Sequence, residues 1–231
     1  MRLLDAVNRT GPIPGDDVPQ AQKKRYSELL SKHLAEELAD GLRMVGFPKV
    51  KPDRGGPGER AFQGGLGPKK VDVSYSDERH GLILAVSIKT INFSPFGKNL
   101  KNRFADLCTE AITLHMRFPY AVVCALFAFP VGADQDQTEG RVVSTFQRAT
   151  HLLSTVSDRE EYTDPGEKFE NVTMMLFQPV SSDGTEPWVR LVDATTGETM
   201  DEAAYLQGLM LLYNTRNPHA SLGEAGGEED D

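Results

Sequence analysis

The sequence predicts an α/β fold in which a central mixed β-sheet is flanked by helices. Three observations lead to this class. Apolar residues recur at steps of three and four between residues 21 and 45, which is the period of an amphipathic helix. The period falls to two between residues 71 and 90, as in paired strands. Residues 120–129 are apolar on both faces, which indicates a strand inside a sheet that is covered on both sides.

The elements follow in order along the chain. The stretch GPIPGDDVP within residues 1–20 breaks helices and strands, so a flexible N-terminal arm is expected there. A long helix ends at Gly46 and Pro48, and an exposed Gly/Pro-rich loop with room for a short strand precedes a hairpin. The remaining predicted elements are a helix that ends at Pro119, the strand at 120–129, a helix at 140–156, strands at 172–178 and 188–193, and a helix at 201–213.

The length of 231 residues suits one large domain with elaborations. We expect this domain to occupy residues 21–216, with a core at 21–130, a C-terminal α/β extension at 131–216, and a disordered acidic tail at 217–231. The longest apolar stretch is far shorter than the roughly 20 residues of a membrane helix, and the first residues lack the apolar core of a signal peptide. A soluble, cytoplasmic protein without membrane contact is therefore expected.

The charge distribution bears on possible partners. A net charge of -9 argues at first against nucleic acid, because Lys and Arg dominate phosphate binding. However, residues 1–110 hold 18 Lys+Arg and 14 Asp+Glu, whereas residues 111–231 hold 7 and 20. The basic surplus of the first half fits phosphate binding, and it fits an ordinary solvated surface equally well.

Residues able to carry chemistry meet at the predicted hairpin. Residues two apart on a strand share a face, so Ser87 and Lys89 lie on one face of their strand. Asp72, on the partner strand, is then expected to approach Lys89 at one edge of the sheet. A carboxylate that holds Mg²⁺, beside a lysine that stabilises the attacking oxygen, can hydrolyse a phosphodiester. An Asp and a Lys across a hairpin are also a common surface ion pair, so the pairing alone decides nothing.

The order of the elements narrows the interpretation. Over about residues 21–130, the order helix, loop, Asp-bearing strand, Lys-bearing strand, helix and central strand resembles the common core of the PD-(D/E)XK nucleases, the restriction-endonuclease-like superfamily. The motif stretch reads GPKKVDVSYSDERHGLILAVSIKT, with Pro68 and Asp72 as its first half and Ser87-Ile88-Lys89 as its second. Ser87 departs from the pattern, which has Asp or Glu at that position.

Some restriction endonucleases of this superfamily carry S-x-K, with the missing acid on the following helix. The stretches SIKTINF and KNLKNRFADLCTEAITLHMRFPYAVV resemble a bacterial group of this kind. The resemblance implies that Lys89 places the attacking water. The implied Mg²⁺ ligands are Asp72, the backbone carbonyl of Ile88, and either Asp106 or Glu110. Family members also often use a glutamate on the first helix, where Glu37 lies near the edge of the leucine face.

Contacts to nucleic acid have candidates as well. Lys69 and Lys70 follow a glycine-rich turn and are expected to touch the DNA backbone. Asn102 and Arg103 either hold phosphates near the site or cap the helix that follows the hairpin.

These expectations combine into a Mg²⁺-dependent DNA endonuclease of restriction or phage-defence type. Ser87 supports an alternative, in which the nuclease-like fold has lost catalysis and serves as a DNA-binding or assembly module. A homodimer is a further expectation, because many nucleases of this type cut two strands with two sites and the last helix is rich in leucine. Its four leucines, more than one apolar face requires, are Leu206, Leu209, Leu211 and Leu212.

Overall fold

The computed structural model describes residues 2–136 and 142–220. Its helices are α1 (Leu3–Thr10), α2 (Gln20–Met44), α3 (Phe96–His115), α4 (Gly132–Gln135), α5 (Thr145–Ser154) and α6 (Glu202–Arg216), followed by a short 3₁₀ turn at Pro218–Ala220. Its strands are β1 (Arg60–Gly64), β2 (Gly67–Val71), β3 (Val73–Asp77), β4 (Gly81–Thr90), β5 (Val122–Pro130), β6 (Asn171–Gln178), β7 (Trp188–Asp193) and β8 (Thr199–Met200). Within the described ranges, no helix is both long enough and apolar enough to cross a bilayer.

A six-stranded sheet in the order β3-β4-β5-β6-β7-β8 forms the centre of the molecule. Strands β4, β5 and β6 run parallel, and the other neighbours pair antiparallel. The α/β class with a mixed central sheet and flanking helices is therefore confirmed. The strands β1 and β2 form a separate two-stranded sheet that contacts α3.

Both faces of the large sheet are buried. One face carries Leu84, Val86 and Ile88 of β4 and packs against α1, α2 and α6, whereas the other carries Ala85 and packs against α3 and α5. This arrangement explains why β5 is apolar on both faces, and it confirms the prediction that β5 lies inside the sheet. It also means that the Ser87 face of β4 is not a solvent face but lies under a helix.

Helix α2 confirms the long amphipathic helix. The residues Leu30, Leu34, Leu38 and Leu42 recur every four positions, and all four are fully buried against the sheet. The helix ends where Gly46 adopts a φ of 113°, and the Phe47 N–H donates to the Leu42 carbonyl at 3.0 Å, which closes the last turn. The long helix is thus held over the end of β4 that carries the candidate site.

The expected N-terminal arm is wrong for residues 3–10. Residues 3–10 form α1, and its Leu3, Ala6 and Val7 side chains are fully buried in the core that α2 shares. The chain-breaking stretch that suggested an arm begins only at Gly11, after the helix has ended. Apolar spacing within residues 3–7 is the signal that indicates this helix.

The C-terminal half follows the predicted order of elements. Helix α5 starts at Thr145 after a capping box between Ser144 and Gln147, so its start lies later than predicted, and residues 137–141 lie outside the described part. The strands β6 and β7 and the helix α6 agree with the prediction. The predicted disordered tail falls mostly on residues 221–231, which also lie outside the described part.

Helix α6 places most of its leucines in the chain's own core. Leu206 and Leu209 are buried and Leu212 is half-buried, whereas Leu211 is 66% exposed. The surplus of apolar side chains that suggested a homodimer is thus mostly used within the chain, and dimerisation stays a prediction.

Candidate active site

A cleft of about 530 Å³ lies between α2 and the C-terminal end of β4. Its walls come from α2, the loop over residues 52–59, the end of β2, the bend at Asp72, the end of β4 and the first half of α3. Asp72, Ile88 and Lys89 all line this cleft. The structure thus brings together the three motif residues that the sequence placed at one edge of the sheet.

Asp72 sits where the chain passes from the small sheet to the large one. Val71 ends the pairing of β2 with β1, and Val73 begins the pairing of β3 with Val86 of β4. The Ile88 N–H donates to Asp72 Oδ2 at 2.7 Å. Because the N–H and the C=O of a strand residue point to the same side, the Ile88 carbonyl also faces the Asp72 side of β4 rather than β5.

Electrostatics distinguish Asp72 from an ordinary aspartate. Burial raises the pKa of Asp72 from 3.8 to about 6, against the lowering effects of Lys89 and of the Ile88 N–H. The nearby Glu110 and Glu59 carboxylates raise this pKa further. Asp72 is therefore a carboxylate whose charge the folded chain compensates only in part, and a bound cation would complete the compensation.

Lys89 and Ser87 share the face of β4 that meets α3, as their spacing predicts. Lys89 Nζ lies 2.9 Å from Glu110 Oε2, and the Ser87 hydroxyl donates to Glu110 Oε1. Burial would lower the pKa of Lys89, but the Glu110 and Asp72 carboxylates outweigh it and the net pKa is raised. Lys89 therefore remains an ammonium group near neutral pH, able to donate and to stabilise negative charge but not to accept a proton.

The structure separates the two acids that the sequence left as alternatives. The Glu110 side chain is 1% exposed and joins the Ser87–Lys89 cluster. The Asp106 side chain is 57% exposed and lies 3.6 Å from Arg103, away from that cluster. Glu110 is therefore the acid on α3 that takes the place next to Ser87, and Asp106 is not brought into the cluster.

Lys69 has a different position from the one expected. Its Nζ lies 3.1 Å from Glu110 Oε2, so two ammonium groups share one buried carboxylate oxygen. A free contact to the DNA backbone was expected, but the side chain reaches inward because β2 packs on α3. Lys70, the next residue, points the other way, lines the cleft and pairs with Glu59 at 3.3 Å.

The prediction that Glu37 on the first long helix belongs to the site is also wrong. Glu37 is 5% exposed, and its carboxylate lies 2.7 Å from Arg54 and 3.1 Å from Arg9 rather than in the cleft. The predicted position near the edge of the leucine face agrees with its burial, but its two arginine partners hold the carboxylate outside the cleft lining. Glu28, which lines the cleft on the same helix, was missed. The small residues Ser27, Ser31 and Ala35, four positions apart, are the sequence signal for the helix face that borders the cleft.

The two remaining candidates for nucleic-acid contact differ in position. Arg103 lines the cleft, whereas Asn102 is exposed and outside it. Neither residue caps α3, because this helix begins at Phe96, two turns earlier. The capping alternative is therefore wrong.

The donor set of the cleft suits a hard divalent cation in part. Carboxylate and carbonyl oxygens are the ligands of Mg²⁺, and Asp72 and Ile88 supply one of each. Glu110 would join them only if an ammonium group moved aside. Across residues 2–136 and 142–220, no three acidic, histidine or cysteine side chains converge as a metal-binding group.

A second cluster of buried charges provides a contrast at the opposite end of the parallel strands. Glu170 accepts from the Arg159 guanidinium at 2.7 Å and from the Val123 N–H at 2.8 Å, and both charged side chains are 1% exposed. Burial would raise the pKa of Glu170, but His115, the Val123 N–H and Arg159 outweigh it, and the net pKa is lowered. This cluster ties the loop before β6 to the sheet.

Comparisons of the chain with protein-family models, with curated proteins and with solved structures found no match. The motif residues and their geometry are therefore the observations that indicate a function for this protein.

Proposed function

We propose that the protein is a Mg²⁺-dependent nuclease that hydrolyses phosphodiester bonds in DNA, of restriction or phage-defence type. The observation that carries the proposal is the convergence of Asp72, Lys89 and Glu110 at one end of β4, with Asp72 and Lys89 open to a cleft. A carboxylate with a perturbed pKa beside a lysine in a cleft, as at Asp72, is typical of catalytic sites. The resemblance of the motif stretch to the PD-(D/E)XK nucleases points to the same chemistry.

Each residue has a role in this proposal. Asp72 and the Ile88 carbonyl would hold the cation, which when bound polarises the phosphate and lowers the pKa of water. Lys89 donates to the attacking oxygen and stabilises the charge that develops on the phosphate. Glu110 keeps Lys89 charged and directed along the face of β4, and it is thus a positioning residue in the described arrangement. Ser87 fixes the Glu110 carboxylate by its hydroxyl.

One observation favours the alternative, an inactive nuclease-like fold that binds DNA or assembles with partners. Both oxygens of Glu110 are already occupied, by Ser87 on one side and by Lys69 and Lys89 on the other. Asp72 would then be the one motif carboxylate that is available to a cation. A single carboxylate with one carbonyl would bind Mg²⁺ weakly, which fits a site that has lost turnover.

Cleavage assays distinguish the two. Purified protein is incubated with plasmid, linear duplex, single-stranded DNA and RNA, with Mg²⁺ or Mn²⁺ and with EDTA. We expect metal-dependent nicking or cutting of DNA by the wild type, and a loss of at least about 100-fold in rate for Lys89→Met, because one electrostatic donor to a developing charge contributes about that much. Unchanged circular dichroism and Tm would show that this variant is folded.

Matched acids on α3 provide the control. Glu110→Gln should lower the rate strongly, whereas Asp106→Asn, one turn away and exposed, should cleave like the wild type. If Lys89→Met cleaves normally, the assignment of the site is wrong. If the wild type binds DNA but gives no product with either metal, the inactive module is the better description.

A further inference from the structure

A second cleft of about 500 Å³ continues the candidate active site along the starts of α2 and α3. The two clefts share Lys24, Ser27, Thr90 and Arg103 in their linings. The second cleft therefore opens from the first where β4 ends. We call it the flanking groove.

The flanking groove is basic throughout, in a chain whose net charge is -9. Every charged residue described in its lining is a cation: Lys23, Lys24, Lys98 and Arg103. Lys98 is exposed and has no ion pair among the described residues. Lys24 and Arg103 each lie 3.6 Å from an acid, Glu28 and Asp106, in exposed pairs. Such pairs are weak in water, so Lys24, Lys98 and Arg103 remain available to an anionic ligand. Lys23 is held by Asp16, whose backbone carbonyl accepts from its ammonium group at 2.8 Å.

Two helix N-termini add to this field. Gln20, the first residue of α2, and Pro95, which precedes α3, both line the flanking groove. The first turns of both helices lack an acidic residue, and neither helix has a side-chain cap. The positive ends of two long helices thus lie at the same groove, which favours anions such as phosphate.

A buried amide with an unpaired acceptor also lines the groove. Asn92 lines the groove and is 4% exposed, and its Nδ2 donates to Ser27 at 2.9 Å and to Thr90 at 3.0 Å. Its Oδ1 has no hydrogen-bond partner among the described residues. A base amino group or a sugar hydroxyl carries the kind of donor that this acceptor lacks, and a bare phosphate anion does not.

We propose that the flanking groove binds the nucleic-acid strand on one side of the scissile phosphate, with its backbone along Lys24, Lys98 and Arg103. The position of the strand relative to the scissile phosphate rests on the proposed function, because the strand is taken to continue from the hydrolytic site into the groove. Its chemistry, phosphate together with a hydrogen-bond donor, is common to single strands and duplexes, and the experiment separates them.

The test measures binding rather than cleavage. Fluorescence anisotropy with labelled 20-nucleotide single strands and 20-base-pair duplexes is recorded in EDTA over a range of salt concentrations. The double variant Lys24→Gln/Lys98→Gln is compared with Lys49→Gln/Arg79→Gln, which removes the same charge from exposed residues outside both clefts. Lys98 lies in the first turn of α3, where a positive charge is unfavourable to the helix dipole. Its replacement by glutamine should therefore not destabilise the helix, and the groove variant should fold.

The expected effect follows from counterion release. A slope of about 0.7 to 0.9 per phosphate contact predicts that two lost contacts weaken binding about 25- to 60-fold at 0.1 M salt and lower the salt slope by about 1.4 to 1.8. The control double variant should differ from the wild type by less than about threefold. If the groove variant loses more affinity for the single strand than for the duplex, the groove binds single strands, and the opposite result identifies duplexes.

Three results would overturn the inference. Equal binding by the groove and control variants would show that the groove makes no contact, and normal metal-dependent cleavage by both would leave the proposed function intact. Absence of any DNA binding by the wild type would also show that the groove does not bind a strand. Competition by inorganic polyphosphate as effective as that by DNA would show that charge alone is recognised. Groove-dependent binding without any cleavage would instead support the groove and reject the nuclease.

Discussion

Replacing Asp72 with asparagine should make the metal-free protein more stable at neutral pH. Asparagine keeps an oxygen for the Ile88 N–H, which donates at 2.7 Å, but it carries no charge into the half-buried bend. Wild-type Asp72 has a pKa raised by burial from 3.8 to about 6, so ionisation costs more in the folded state than in the unfolded chain. The aspartate is thus retained at a cost in stability.

The sign and the size follow from these pKa values. Between pH 4 and 6 the folded protein holds a proton that the unfolded chain has released, so the stability of the wild type falls as pH rises through this window. A separation of about two pH units corresponds to about 3 kcal/mol, an upper value because water reaches part of the side chain. We therefore expect Asp72→Asn to exceed the wild type by about 1–3 kcal/mol above pH 7 and to equal it near pH 4.

Urea unfolding in EDTA from pH 4 to pH 8 measures this difference. Asp106→Asn is the control, since its carboxylate is exposed and its stability should stay within about 0.5 kcal/mol of the wild type. Mg²⁺ at ten times its Kd should then stabilise the wild type by about 1.4 kcal/mol and leave Asp72→Asn unchanged. A stability difference that does not vary with pH, or an asparagine variant that is less stable throughout, would refute the reasoning.

Two further predictions concern the scaffold. Glu170→Gln should destabilise the protein by about 3–5 kcal/mol in urea unfolding, because it leaves the Arg159 guanidinium, 1% exposed, without its counter-charge; a loss below 1 kcal/mol would contradict this. Gly64→Ala should cost about 1–3 kcal/mol, since its Cβ would lie 2.5 Å from Thr113 Cγ2 and 2.6 Å from the Thr113 carbonyl and would push β1 and β2 off α3. Gly58→Ala meets no atom within 4 Å and should be neutral, so equal Tm values for the two alanine variants would argue against this packing.

The parts of the fold that could be predicted are those whose sequence pattern reflects burial directly. The leucines of α2 and the double-sided apolar run of β5 each record one packing environment over several turns or residues. Helix α1 was missed although the same kind of pattern is present, because it is short and the chain-breaking residues after it dominate the window. The passage of the chain between two sheets at Asp72 was also hidden, since β2 and β3 have a continuous alternation of residues.

Only two features of the candidate site could be predicted from the sequence: which strand residues share a face (strand parity) and which helix residues share a side (helix phase). Parity places Ser87 and Lys89 on one face, and the structure confirms this. Phase could not choose between Asp106 and Glu110, which lie one turn apart on nearly the same side of α3. The difference in their environments comes from packing in which β4 brings Ser87 and Lys89, and the two-stranded sheet brings Lys69, to Glu110 and not to Asp106. These contacts are long-range and leave no local signal.

Glu170 and Asp72, two acids beside the central sheet, provide an internal comparison for interpreting the site. Glu170 is fully paired, its pKa is lowered, and it holds a loop onto the sheet, so its charge is compensated within the fold. Asp72 has a raised pKa and opens onto a cleft beside an ammonium group that is bound elsewhere. Both share the same sheet and the same solvent, so the general cost of burying a carboxylate does not explain the contrast. An incompletely compensated carboxylate persists where its charge has a further use, and a cation with a phosphate ligand in the cleft would provide that use.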